Sequence, residues 1–295
     1  MWTPQFERFV APARERPQLW RLFAGIFVIA GFWAFATFKL FLLAGFLVGF
    51  GDMEAWMGRL QDGASPTGTT MLLYTFVGLV IGTVLAALIH GRRPGSLFGR
   101  KQMRPFLIGL LAVSLINVLA LAIPSDLPLA PGLAPEIFVT FLPVALFGIL
   151  LQTGAEEMAF RGYLQTQLAA RYRTPLVWFL FPSIVFGALH YAPGEYGPNA
   201  LLVVLVVTLV GLIAADLTRI TGGIGAAWGL HFANNCAAIL LVGSDNMLGG
   251  LAFFRAPIDP ADPALAPLIW LDLVLLFLAW GGLRLWFRRQ RAAPV

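Results

Sequence analysis

The stretch 137–163, IFVTFLPVALFGILLQTGAEEMAFRGY, runs predominantly apolar to residue 155 and then places Glu156, Glu157 and Arg161 in quick succession. An apolar run of ~20 residues is what a helix needs to cross a bilayer. Ionisable groups at membrane depth are costly, and are retained mostly where they carry chemistry or coupling. This one stretch therefore points to both a membrane helix and a reactive position on it. The chain has 3 histidines, and two of them sit in later apolar segments: His190 in FGALH and His231 in HFANN.

Composition agrees with that reading. Hydrophobic residues are 59% of the 295, charged residues 12%, and the mean hydropathy is +0.80. Such values lie well outside the range of soluble domains. The expected fold class is all-α, a polytopic integral membrane helical bundle. Eight apolar segments can be marked, at roughly 22–50, 71–89, 105–123, 137–155, 175–190, 199–218, 222–241 and 267–287. Lys39 could divide the first, but loop charge argues for one long, tilted helix. The N-terminus, the 90–104 loop, the 161–173 stretch, Arg219 and the tail are basic. The alternate loops carry Asp52, Glu54, Asp62, Asp126, Glu136, Glu195, Asp245, Asp259 and Asp262, against Arg59 and Arg255. By the positive-inside rule, about eight spans with both termini cytoplasmic are expected. The net charge of +5 is then a topology signal, and no nucleic-acid partner is expected.

The organisation expected is a cytoplasmic segment 1–21, a single transmembrane domain 22–287 and a basic cytoplasmic tail 288–295. No cleavable signal is expected, because the apolar segment after the first arginines is too long. The lone Cys236 excludes an internal disulfide and a Cys-rich metal cluster. Abundant Ala, Gly, Pro and Arg suggest a bacterial chain, hence a multi-pass protein of the cell inner (plasma) membrane, with the lipid bilayer itself as a partner.

Helical geometry sorts the polar residues. Glu157 and Arg161 are four apart and share a face, so they can pair. Glu156 and Arg161 point about 140° apart at ~100° per residue, which leaves Glu156 the carboxylate freer to face a cavity. Phe186 and His190 are four apart, so the phenyl ring can cover and orient the imidazole. His231 and Asn235 share a face by the same spacing, and an imidazole beside an amide can donate to an oxyanion or hold a water. Bland readings stand beside these: EExxxR can mark a helix end at the interface, and an intramembrane His can serve packing. His90, beside Arg92 and Arg93, reads as an interfacial residue. Asp216, three before Arg219, reads as a local ion pair. Gly222, Gly223 and Gly225 read as close helix packing, since no P-loop pattern surrounds them.

The ordered set EExxxR (Glu156 to Arg161), FxxxH (Phe186 to His190) and HxxxN (His231 to Asn235) resembles the CPBP family. That family includes type II CAAX prenyl endopeptidases and bacteriocin-processing or immunity (Abi-like) proteins. The resemblance covers about 137–241, with no departure at a motif position. It implies a polytopic helical fold and an intramembrane proteolytic site in which Glu156 and His190 activate water, with His231 and Asn235 assisting. The implied substrate is a peptide or membrane protein.

No serine or cysteine lies beside a base in these motifs, so water is the expected nucleophile. Glu156 is assigned as general base, His190 as the residue that orients water, and His231 with Asn235 as oxyanion donors; Glu157, Arg161 and Phe186 are supporting residues. Metal-free activation is favoured. Zinc is the alternative, since Glu156, His190 and His231 make a His₂Glu ligand set, although HExxH is absent. Two further classes remain open: a non-catalytic membrane scaffold or immunity factor, and a proton-coupled transporter. Simple span counting poses one difficulty. It sets Glu156 at the cytoplasmic end of its helix and His190 at the outer end of the next, over ~20 Å apart in depth at ~1.5 Å per residue.

Overall fold

Thr3 opens the first helix: its hydroxyl accepts from the Phe6 N–H, and Pro4 occupies the first helical position. Both are strong helix-start signals. The computed structural model describes residues 2–48, 63, 65–120, 122–123, 129–244 and 248–292. Helix α1 (Pro4–Arg14) buries Phe6, Phe9, Val10 and Ala13. Phe6 lies 4.9 Å, centroid to centroid, from Trp178. The N-terminal segment is thus docked on the bundle by its apolar face.

The remaining helices run back and forth. Helix α2 (Leu19–Val48) is unbroken through Lys39, and its 30 residues exceed what a straight crossing needs. Helix α3 has two parts, Pro66–Tyr74 and Val77–Ile89, and α4 is Met103–Ala120. Helix α5 is a rod of 37 residues, Pro135–Arg171, whose stretch Met158–Gln165 is π-helical. Helix α6 is short, Leu176–Ala188. A one-turn helix, Pro193–Tyr196, leads to α7 (Ala200–Thr221). Helix α8 (Gly225–Cys236) continues as a π-helical turn to Leu241, and α9 is Ala266–Ala292. Among the described residues, 6 helices are long and apolar enough to cross a membrane. The fifth and seventh apolar segments correspond to the shorter α6 and α8. Asp52, Glu54, Arg59, Asp62, Asp126 and Asp245 lie outside the described residues.

Polarity is inverted relative to a soluble bundle. Phe27, Phe46, Leu111 and Leu201 are among the most exposed side chains, whereas Thr83, Thr153, Gln165, Gln167 and Ser183 are buried. An apolar exterior is what a lipid-facing surface requires; inside, Gln165 donates to Ala215 O and Thr153 accepts from Trp228 across helices, while the Thr83 and Ser183 hydroxyls donate to carbonyls of their own helices. The basic ends of the helices gather on one side. There the Thr3 hydroxyl donates to Arg219 O at 2.6 Å, and Arg171 donates to Gln18 O at 3.0 Å. At the opposite end, β1 (Ala130–Pro131), β2 (Val242–Ser244) and β3 (Phe254–Ala256) form a small sheet in the order β1-β3-β2. β3 is antiparallel to β1 and parallel to β2.

Three expectations change in the folded chain. The stretch 161–173 is not a basic loop: α5 continues to Arg171, and Arg161 and Gln165 are buried within it. His90 is buried, with Nδ1 at 2.8 Å from Arg16 O and Nε2 at 3.1 Å from the Tyr163 hydroxyl. Asp216 pairs with Arg219 at 3.0 Å, but it also accepts from Trp280 Nε1 at 3.0 Å and Arg284 at 2.8 Å. It therefore ties α7 to α9. The physical reason is the same in each case, since a buried polar group is tolerated where a neighbouring helix supplies its partner.

Glycine allows α4 and α8 to pack backbone against backbone. A Cβ at Gly229 would lie 2.0 Å from Phe106 O, and one at Gly109 would lie 2.4 Å from Ala226 O. Gly222 caps α7 in the left-handed region, φ 74°. Gly229→Ala should therefore lower the thermal stability of the detergent-solubilised protein, at an overpacking cost of about 1–3 kcal/mol. Gly281→Ala, where a Cβ meets nothing within 4 Å, should leave it unchanged or raise it. Equal melting temperatures for Gly229→Ala and the parent would show that the contact is not tight.

Candidate active site

The turn between α5 and α6 places the candidate residues at one level. Glu156 lies 15 residues before the end of α5 at Arg171, and His190 lies 14 residues after the start of α6 at Leu176. At ~1.5 Å per residue both are roughly 20 Å from that turn. The depth difference expected from span counting disappears, because α5 extends past the glutamates and α6 stops short. Glu156 and His190 line one cavity of about 460 Å³, whose other walls include Ile29 and Trp33 of α2, Phe76 and Leu79 of α3, and Phe160 and Leu189.

Phe186 is the hub between the three motifs. Its ring centroid lies 5.1 Å from that of His190, 6.1 Å from His231 and 5.0 Å from Phe160. The Arg161 guanidinium sits over the Phe186 ring at 4.6 Å, a favourable cation–π placement where water is excluded. His190 Nδ1 lies 2.8 Å from Phe186 O. A carbonyl only accepts, so Nδ1 carries the proton and Nε2 of the neutral ring is left as an acceptor.

The two carboxylates are held differently. Glu157, with no exposed surface, meets Arg161 at 3.1 Å and His231 Nδ1 at 3.0 Å. Glu156 accepts from Gln152 Nε2 at 3.0 Å, and its second oxygen is 3.5 Å from His231 Nε2. Glu156 faces the cavity, as its helix face suggests, with an amide and an imidazole beside it. His231 in turn has each ring nitrogen directed at a carboxylate. Asn235 donates one amide hydrogen to Gln152 Oε1 at 3.0 Å, which leaves its second for another acceptor.

Gln152 was not singled out from sequence, yet it links Asn235 on α8 to Glu156 on α5. The signal was present, since a glutamine four residues before Glu156, on the same helix face, is a polar interruption in an apolar run. Trp228 was likewise missed. Its indole N–H reaches Thr153 Oγ1 at 3.2 Å, so Trp228, His231 and Asn235, on one face of α8, all engage α5. Zinc fits this arrangement poorly. Among the described residues no three His, Cys, Asp or Glu side chains are grouped to hold a metal ion, and both His231 nitrogens already face carboxylates. The mechanism below therefore involves no metal-dependent step.

The polar and aromatic residues of this cluster, from Gln152 to Asn235, fall inside one recognisable stretch. Residues 138–237 match the family model of Rce1-like type II CAAX prenyl endopeptidases. The resemblance carried by the three motifs is thereby shown over the core of the bundle. The chain is also 27% identical over 153 residues to the uncharacterized protein YyaK of Bacillus subtilis (strain 168), which is 52% of this chain and 50% of that protein. It thus spans about half the length of the curated relative it matches. No solved structure matches it.

Removing one partner of a buried ion pair typically costs ~3–5 kcal/mol, because the survivor is stranded. Arg161→Ala should therefore lower thermal stability, and adding Glu157→Gln should restore part of it. The four combinations, melted in detergent, decide the point. A double variant no more stable than Arg161→Ala would show the two residues to be uncoupled.

Proposed function

We propose that the protein is an intramembrane endopeptidase that hydrolyses a peptide bond in a peptide or membrane-protein substrate, with water as nucleophile. The observation that carries this reading is the shared cavity of Glu156 and His190, apolar around a single carboxylate and a single oriented imidazole. Such a cavity suits an apolar substrate segment with a few convergent polar groups to direct it.

In this reading a water bound between Glu156 and His190 donates one hydrogen to Nε2 of His190 and the other to Glu156. Glu156 removes the latter proton as the oxygen attacks the scissile carbonyl. Negative charge then develops on the carbonyl oxygen. The second amide hydrogen of Asn235 and the His231 ring are the oxyanion donors in this reading; both stand behind Glu156 and outside the lining of the cavity. Glu156 finally passes its proton to the leaving amine, so one water is consumed and an acid and an amine are released. Glu157 and Arg161 hold His231 in place, and Gln152 positions both Glu156 and Asn235.

Glu156→Gln keeps size and hydrogen bonding but removes the base. Hydrolysis of a peptide library by the purified protein in detergent, read by mass spectrometry of new termini, should fall by about 10²–10⁴-fold with thermal stability retained. Gln152→Leu should lower kcat more than it raises KM, since it loosens two catalytic groups without touching the apolar cavity. Near-parental cleavage by Glu156→Gln would remove the mechanism.

The metal question has its own measurement. Elemental analysis of the purified, active protein should find no stoichiometric zinc, and cleavage should persist in chelator. One tightly held metal per chain, lost together with activity, would favour the His₂Glu alternative.

A further inference from the structure

A second cavity, of about 410 Å³, opens at the basic end of the bundle between α1, the 93–100 loop and the turn at Thr221–Gly222. Arg8, Arg93 and Arg100 line it with Gln5 and Ser96, and no acidic residue does. All three arginines are exposed. Among the described residues none of them is in an ion pair. Of the carboxylates near the lining residues along the chain, Glu7 is engaged by Arg14, Asp216 by Arg219 and Arg284, and Glu15 is exposed outside the cavity lining.

The wall behind the cavity adds to its positive character. Arg92 is buried and donates only to neutral acceptors: Ser96 Oγ and O, Thr166 Oγ1 and Gly162 O. Burial pushes its guanidinium down to about 10, which leaves it charged at neutral pH. Ser96 Oγ accepts from Arg92 and keeps its own O–H to donate. Three guanidinium groups and a hydroxyl lining one cavity with no acidic residue among them match a group with several anionic oxygens, which is the chemistry of phosphate.

The surroundings indicate which phosphate. Arg100 lies three residues before α4, where Met103, Leu107 and Leu111 form an exposed apolar stripe at four-residue spacing. The positive-inside rule places this end at the cytoplasmic leaflet, where basic pockets between helices meet anionic headgroups. We infer that the cavity binds the phosphate of an anionic phospholipid, with the acyl chains lying along α4.

The test uses the full chain, delipidated in a neutral detergent and titrated with dioctanoyl phosphatidylglycerol, dioctanoyl phosphatidylcholine or inorganic phosphate, with thermal unfolding as the readout. Phosphatidylglycerol should stabilise the protein saturably, and the other two should not. Each arginine near an anionic surface is worth about fivefold in affinity, so Arg93→Gln/Arg100→Gln should shift the titration midpoint about 25-fold. Gly95→Glu is a second variant that removes no arginine. A Cβ there meets nothing within 4 Å, and its carboxylate would compete for the cavity; it should fold normally and lose the response. An unchanged midpoint in both variants, or equal stabilisation by phosphatidylcholine, would overturn the site. Full stabilisation by inorganic phosphate at the same concentration would overturn the lipid assignment in favour of a soluble anion.

Discussion

Everything in the core of this bundle is arranged around one fully buried carboxylate. An ionised Glu157 with no exposed surface is tolerable only if charges and hydrogen bonds replace the water it has lost. Arg161 supplies the charge from the same helix, and His231 supplies the hydrogen bond from α8. That requirement fixes α8 against α5. Once the two helices are in register, Asn235 meets Gln152 and Trp228 meets Thr153. Gln152 then holds Glu156, so the second carboxylate is positioned by the partners of its neighbour.

The aromatic contacts extend the same constraint to α6. Arg161 has paid part of its desolvation to Glu157 and rests its remaining face on the Phe186 ring. Phe186 in turn touches both histidines, and its carbonyl fixes the tautomer of His190. A short α6 is essential here. If it crossed the full bilayer, as the other long helices can, His190 would sit at the far interface instead of level with Glu156. The π-helical stretch that begins at Met158 is a further local departure from regular helix, of a kind found often where side chains must be aimed at a site.

A bundle surrounded by lipid gains nothing from hiding apolar side chains from its solvent, so small residues and polar contacts take over the work of association. The α4–α8 contact rests on glycines at 109 and 229, and the α7–α9 contact rests on the buried Asp216 with its three donors. The basic end keeps its arginines at the interface, where they report orientation and leave one cavity rich in positive charge. The Glu156–His190 cavity and the basic cavity thus follow from one asymmetry, in which charge is confined to places with a partner or with water.

The amino-acid sequence by itself determined the class of the fold, because eight apolar segments and alternating loop charge have no soluble solution. It also singled out Glu156, Glu157, Arg161, Phe186, His190, His231 and Asn235 as polar or spaced groups in apolar helices, and the fold brings them into one cluster. The pairing of Glu157 with Arg161 is legible too, because i,i+4 neighbours meet within one helix without any tertiary information. Contacts between helices were not legible. Depth was misjudged because helix length was inferred from hydropathy, which breaks at Glu156, whereas the backbone continues to Arg171 with α8 partnering Glu157 and α7 carbonyls accepting from Arg161 and Gln165. For the same reason Gln152 passed unnoticed and His90 was placed at the interface. Hydropathy records what a residue costs in lipid; only the packed structure shows which neighbour offsets that cost.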